Sequence, residues 1–271
     1  FTKISKTKPI MKYITISLFV FIFFSFNELN TNAVEQEKEN ATEVISNLDN
    51  FDFNPTSTTG AVYSREGYTF SYSEKHEQSE WVAYTLDASD FNYSQYERPY
   101  FVQDPLVKTK SADWRNYKNS GYDKGHLVPA GDRKENFASY KETFYTSNIA
   151  PQRHDFNSGI WNRLEEKTRY WAEKYDGIYV VSGGVLSDNL KTIGREKVAV
   201  PNYFYKVLLT KDRKRMIGFL VPHKNSKRPL YEFVTSVDAI EELTGIDFFP
   251  ELEDAIEAEL EKSTDYKKWS F

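Results

Sequence analysis

Two hydrophobic periods run along this chain. Tyr68-Thr69-Phe70-Ser71-Tyr72 and Trp81-Val82-Ala83-Tyr84-Thr85-Leu86 alternate apolar with polar positions, which predicts two strands, a hairpin or sheet neighbours, across the polar stretch between them. Residues 178–181, 198–200, 203–209 and 216–221 read as further strands, with turns at Gly183-Gly184 and Lys211-Asp212. The helical period is clearest over 157–175, where Ile160, Leu164 and Trp171 fall on one stripe. Residues 137–145, 236–243 and 251–262 also read as helices; the last carries Leu252, Ile256 and Leu260 at four-residue spacing on an acidic background. Strands come in runs, not in regular strand–helix alternation, so the predicted class is α+β.

Residues before this pattern have a different character. Lys3, Lys6, Lys8 and Lys12 precede an apolar run over 14–26, broken only by Thr15, Ser17 and Ser25, and Thr31-Asn32-Ala33 offers small residues for cleavage. This predicts an export signal over 1–33, with Met11 as a candidate native start, and an exported protein, secreted or periplasmic. The apolar run is short for a membrane-spanning helix, so no stable membrane partner is expected. Residues 34–58 are polar and poor in aliphatics and read as a flexible linker, leaving 59–271, with its acidic C-terminal helix, as one folded domain.

Composition narrows the chemistry. A chain of 271 residues with 19 Tyr, 20 Phe and 5 Trp can build one large core. It has no cysteine, which excludes disulfide frameworks, zinc–thiolate sites, iron–sulfur clusters and cysteine nucleophiles. The formal net charge of −5 becomes −8 once residues 1–33, with four Lys and one Glu, are set aside. A net acidic surface argues against a passive nucleic-acid coat, whose affinity comes from neutralising phosphates, but leaves room for an enzyme with a local basic groove. Lys108, Lys110, Arg115 and Lys118 supply basic residues that either line such a groove or lie in a solvated loop.

Candidate chemistry concentrates in Ser120-Gly121-Tyr122-Asp123-Lys124-Gly125-His126-Leu127-Val128-Pro129-Ala130, which holds one of only four histidines. An acid beside an imidazole can aim it, and Gly125 admits close approach, as a general base requires. Downstream, Asn157, Trp161, Glu165 and Arg169 recur every four residues, so on a regular helix neighbouring members share a face. Asn157 starts that row, where a helix presents unpaired backbone N–H groups. Either an amphipathic helix with a solvated polar edge or a phosphate site accounts for the row. His154 reads as a pre-helix residue; His76 and His223 read as surface residues.

The run from Tyr122 to Ala130, the segment Ser147-Asn148-Ile149-Ala150-Pro151-Gln152, and Asn157 followed by Trp161, Glu165 and Arg169 together resemble the DNA/RNA non-specific endonucleases, the ββα-metal or His-Me finger nucleases. The resemblance extends over roughly 68–250. It implies a central, mostly antiparallel sheet flanked by helices. It also implies His126 as general base, Asn157 as the protein ligand of one Mg²⁺ (with Mn²⁺ as a substitute) and Glu165 as support for the metal-bound waters. Arg169 and Arg98 would contact phosphate, and Asn148 would lie near the substrate. Lys124 stands where the family's Asp-Arg-Gly-His run has arginine; it keeps the charge and loses the planar fork. The implied activity is metal-dependent hydrolysis of DNA and RNA to 5′-phosphate products. A non-catalytic binding module on the same scaffold and a DNA-restricted nuclease remain as alternatives.

Overall fold

In the computed structural model, which describes residues 51–91 and 94–271, the predicted apolar runs assemble into a seven-stranded antiparallel sheet. Its strands are β1 (Val62–Ser64), β2 (Thr69–Ser73) and β3 (Gln78–Leu86), then β6 (Ile178–Gly184), β9 (Tyr203–Thr210), β10 (Met216–Pro222) and β11 (Val234–Thr235), paired in that order. Two short ladders lie apart from it. One joins β4 (Asp123–His126) to β5 (Ile149–Gln152), and the other joins β7 (Thr192–Ile193) to β8 (Val198–Ala199). The strand expected over 198–200 is therefore only β8, outside the main sheet.

The central strands β3, β6 and β9 are buried on both faces, which is why β6 and β9 read as apolar runs, while the alternation expected over 81–86 of β3 marks no solvent face. One face packs against a helical segment. His154–Phe156 leads through a π-helical turn, Asn157–Trp161, into the long helix Asn162–Lys174. Phe156, Ile160, Trp161, Leu164 and Trp171 of this segment join Tyr84, Val180, Phe204, Leu208 and Phe219 of the sheet in one core. Trp161 and Trp171 are fully buried, so truncating either to Ala costs about 3–5 kcal/mol. At Gly218 the other face meets Ile240 and Val237 of the helix Val237–Thr244. The remaining helices are Phe137–Glu142 and the acidic Asp254–Glu261. In chain order the α-helices are α1 (Phe137–Glu142), α2 (Asn162–Lys174), α3 (Val237–Thr244) and α4 (Asp254–Glu261), with the single turn His154–Phe156 left unnumbered.

One boundary needs correction. Residues 52–58, expected to belong to a flexible linker, are docked on the sheet. Phe53 stacks on Tyr179 at 4.9 Å, Thr56 O accepts from Trp81 Nε1 at 2.9 Å, and the Thr58 backbone N–H donates to Glu80 at 3.0 Å. Part of their polarity serves these bonds, although Asp52, Thr56 and Thr58 also face solvent. The expected signal over 1–33 and most of the 34–58 segment lie outside the described residues. Among the described residues no helix is long and apolar enough to cross a membrane.

Candidate active site

Strand alternation sets the site. In β4, Asp123 and Gly125 point to one side and Lys124 and His126 to the other. The register opposes Asp123 to Gln152 and His126 to Ile149. Gly125 is needed by contact: a Cβ there would lie 2.2 Å from the Gln152 side chain. The chain leaves β5 and enters the helical segment within two residues, which brings His154 and Asn157 back over Asp123. Asp123 Oδ2 accepts from Asn157 Nδ2 at 3.0 Å and from His154 Nδ1 at 2.9 Å.

The bond to Asp123 tests Asn157 as a metal ligand. It uses an amide hydrogen and so fixes which end of the side chain is which. Asn157 Oδ1, a hard neutral oxygen, is left as the donor for a cation of the Mg²⁺ class, and Asp123 is the outer partner that orients it. The residues present fit that group.

His126 stands between two aromatic rings, Phe101 at 5.6 Å and Phe144 edge-on at 5.1 Å. Its Nε2 is buried and has no hydrogen-bond partner. Burial, with the Arg98 charge adding to it, lowers the His126 pKa to about 3, so the imidazole is neutral across the physiological range. The Arg98 guanidinium lies 5.7 Å from the Phe101 ring and 5.5 Å from the Phe144 ring, and Lys124 Nζ lies 5.2 Å from Phe101. Arg98, Lys124, Phe101, Tyr100 and Trp114 line a cavity of about 600 Å³. Tyr100 is 92% exposed at its mouth.

Glu165 and Arg169 join a second ionic cluster further along α2. Arg169 pairs with the buried Asp132, which also accepts from Tyr84 Oη at 3.1 Å. Lys206, fully buried on β9, faces Glu165. Burial pushes the Glu165 carboxyl up and the Lys206 ammonium down, and each charge partly offsets the other's shift. Lys206 Nζ lies 5.1 Å from the Trp161 ring and has no hydrogen-bond partner. A lysine inside the apolar run over 203–209 was the available signal for this residue, and it was read as part of a core strand.

The structure brings Arg98 and Lys124 to one groove, packs His126 against Phe101 of its wall, and ties Asn157 to the hairpin that carries Lys124 and His126. Asn148 needs correction as a substrate contact. It is fully buried; its Oδ1 accepts from Val128 N at 2.8 Å, and its Nδ2 donates to Val128 O and Thr143 O, each at 3.0 Å. It clamps the chain leaving His126. His154 is more than a pre-helix residue, since it shares Asp123 with Asn157. His223 is no free surface residue: its Nε2 accepts from Arg153 N at 2.7 Å and its ring packs on Phe156 and Phe204. His76 Nδ1 bonds Ser73 at 2.8 Å while its Nε2 is buried without a partner.

Comparisons with known proteins agree on one relationship. The sequence profile of the DNA/RNA non-specific endonucleases matches residues 49–255. The chain is 36% identical to the mitochondrial nuclease EXOG of Danio rerio over 69% of its length and 60% of the relative's. It is 33% identical to EXOG of Homo sapiens over 76% of its length and 61% of the relative's. The chain thus spans about six tenths of the length of these curated relatives. A crystal structure of an EndoG/EndoGI complex superposes with a TM-score of 0.64 at 31% identity, over 71% of this chain and 86% of that one.

The expected export is overturned by these relatives, which are mitochondrial nucleases, as is the human endonuclease G that the chain also matches at 28% identity. The physical reason is that a basic leader bearing Ser and Thr, with no acid before Glu28, suits an import presequence as well as an export signal.

A ββα unit built from β4, β5 and the helical segment, carrying His126 and Asn157 in the expected order and matched over most of the chain's length, makes this chain a member of the DNA/RNA non-specific endonuclease family.

Proposed function

We propose that this protein is a Mg²⁺-dependent endonuclease that hydrolyses phosphodiester bonds in both DNA and RNA and leaves 5′-phosphate ends. The observation that carries this reading is the single carboxylate Asp123. It holds Asn157 by its Nδ2 and frees Oδ1, three residues from the neutral His126 on the same strand.

In this reading Asn157 Oδ1 holds the metal, and Asp123 keeps the amide from rotating. A divalent cation held there, Mg²⁺ or Mn²⁺ in its place, would supply positive charge against the charge that develops on the phosphodiester. His126 takes a proton from the attacking water, its neutral form guaranteed by burial and by Arg98. Arg98 and Lys124 draw the phosphate to the groove. Tyr100 and Trp114 give bases a surface to stack on, which reads no sequence and suits a non-specific enzyme. Glu165 and Arg169, engaged with Lys206 and Asp132 further along α2, are assigned no direct contact with metal-bound water or phosphate in this reading.

Digests of plasmid DNA, single-stranded DNA and RNA, with and without chelator, test the proposal on wild type and His126→Ala. Cleavage of all three by wild type alone, stopped by chelator, is expected. Undiminished cleavage by a folded His126→Ala protein refutes the assignment. A gel shift without cleavage would mean a binding module.

A further inference from the structure

Away from the groove, five carboxylates converge where α3, the following loop and α4 meet. Asp238 and Glu241 come from α3, Asp247 from the loop, and Glu257 and Glu261 from α4. Ligand oxygens of Asp238, Glu241 and Glu261 lie within 4.8 Å of one another, and so do those of Asp247, Glu257 and Glu261. Glu261 belongs to both sets and is only 7% exposed. Its Oε1 and that of Glu257 are buried with no hydrogen-bond partner.

Among the described residues no lysine, arginine or histidine forms an ion pair with any of the five. Only Glu241 is seen to receive a backbone bond, from Phe248 N at 2.8 Å. Buried carboxylates are ordinarily paired or bound to metal, because an isolated buried charge is expensive. Burial and the carboxylates of Glu241, Glu257, Asp238 and Asp247 push Glu261 up to about 9, so without a cation the repulsion is relieved by a proton, with Glu241 hydrogen-bonded to Glu261.

We propose that this cluster is a structural Ca²⁺ site that fastens α4 to α3. Ca²⁺ takes six to eight oxygens at about 2.3–2.6 Å, so ligands of one ion lie up to about 5 Å apart, and each trio, with its oxygens within 4.8 Å of one another, fits inside that limit. The two trios share Glu261, one drawn from α3 and α4 and the other from the loop and α4, and water completes an irregular, adaptable shell. Mg²⁺ demands a tight octahedron and sheds its waters reluctantly, so the cluster favours the larger ion. The site is also independent of the nuclease reading. Its two α4 ligands lie beyond residue 255, where the match to the family profile ends.

Thermal unfolding of the whole chain, freed of metal by chelator and then titrated with Ca²⁺ or Mg²⁺, tests this. About 1 mM Ca²⁺ is expected to raise Tm by about 5 °C or more, with Mg²⁺ giving a smaller rise. Asn157→Ala should keep the Ca²⁺ shift, which separates this site from the one in the groove. Glu261→Gln should lose it while unfolding no earlier than the metal-free wild type, since without metal the Glu261 carboxyl is held in its neutral form, which Gln mimics. If Glu261→Gln does not fold, Asp247→Asn with calorimetric titration of Ca²⁺ replaces it and should show weakened binding. The proposal is overturned if wild type ignores Ca²⁺, if the variant responds as fully as wild type, or if acidification alone stabilises the cluster and Ca²⁺ does nothing.

Discussion

Replacing Asp123 by Ala isolates the orienting bond from the ligand itself. The change removes the acceptor of two hydrogen bonds, from Asn157 Nδ2 at 3.0 Å and from His154 Nδ1 at 2.9 Å, and leaves Asn157 and His126 in place. A hydrogen bond to a charged group contributes about 1.5–3 kcal/mol. Asp123 keeps 34% of its side chain exposed, so water competes and the lower end applies. Freed, the Asn157 amide also has a rotation to lose on binding a cation. About 1.5–2 kcal/mol corresponds to a 10–30-fold rise in the Mg²⁺ concentration for half-maximal activity, the usual range for loss of an outer partner at a metal site. The assay is plasmid nicking against Mg²⁺ concentration for wild type, Asp123→Ala and Asn157→Ala. Asp123→Ala should recover much of its kcat at saturating Mg²⁺, and Asn157→Ala should not. An unchanged Mg²⁺ midpoint in Asp123→Ala, with the fold intact by circular dichroism, refutes the orienting role.

The His126 pKa lies below the ordinary imidazole value of about 6.5, so the acid limb of kcat/KM should fall well below that pH. An inflection near 6.5 in a protein shown to be folded would contradict the burial argument. For the same reason the native state binds fewer protons than the unfolded chain between the two pKa values. His126 therefore costs up to about 1.4 kcal/mol of stability for each pH unit below about 6.5, ending near pH 3, and His126→Ala should flatten that slope in urea unfolding. Lys206→Met leaves Glu165 without its facing cation and should destabilise by about 3 kcal/mol; adding Glu165→Gln should return part of the loss, and additive losses in urea would deny the coupling. Tyr100→Ala and Trp114→Ala should each raise KM for single-stranded DNA by about 5-fold or more, with kcat kept, and equal KM values would remove the stacking role. Gly159→Ala puts a Cβ 2.3 Å from Asn225 Oδ1 and should raise the Mg²⁺ midpoint more than it lowers Tm; a wild-type midpoint would show that the turn does not aim Asn157.

The five inner strands of the main sheet were legible because they are long and apolar, and α2 because its stripe is long; the edge strands β1 and β11, three and two residues, were too short to show a period. The hairpin that carries the chemistry was not. Asp123-Lys124-Gly125-His126 and Ile149-Ala150-Pro151-Gln152 are four residues each and show no period of two, because their side chains serve the site. The family resemblance implied that Asn148 belonged near the site. It could not show direction, and the side chain turned inward to bond Val128 and Thr143. The 52–58 segment looked like linker for a similar reason: polar residues saturated by Glu80 and by backbone are indistinguishable, in composition, from polar residues facing water. Lys206 shows the converse, a charge in an apolar run that composition displays plainly and only its facing neighbour Glu165 explains.

The row Asn157, Trp161, Glu165, Arg169 is where sequence reasoning and structure differ most usefully. On a regular helix each step of four advances about 40° past a full turn, so all four would share a slowly drifting face. Their destinations do not share a face. Asn157 must reach Asp123 on the hairpin, Trp161 is fully buried against Phe156 and Phe204, and Glu165 sits over Lys206. The π-helical turn resolves this. Between Asn157 and Trp161 the backbone departs from helical geometry at Gly159, with φ −106° and ψ −109°, and a Cβ there would lie 2.3 Å from Asn225 Oδ1. The wide turn rotates Asn157 relative to the rest of the row, so the ligand is aimed by backbone while α2 keeps its apolar stripe in the core. The Asn157 amide is thereby set by two devices of different kinds, a glycine that permits the turn and a carboxylate that holds its Nδ2. Each is open to mutation without touching the ligand.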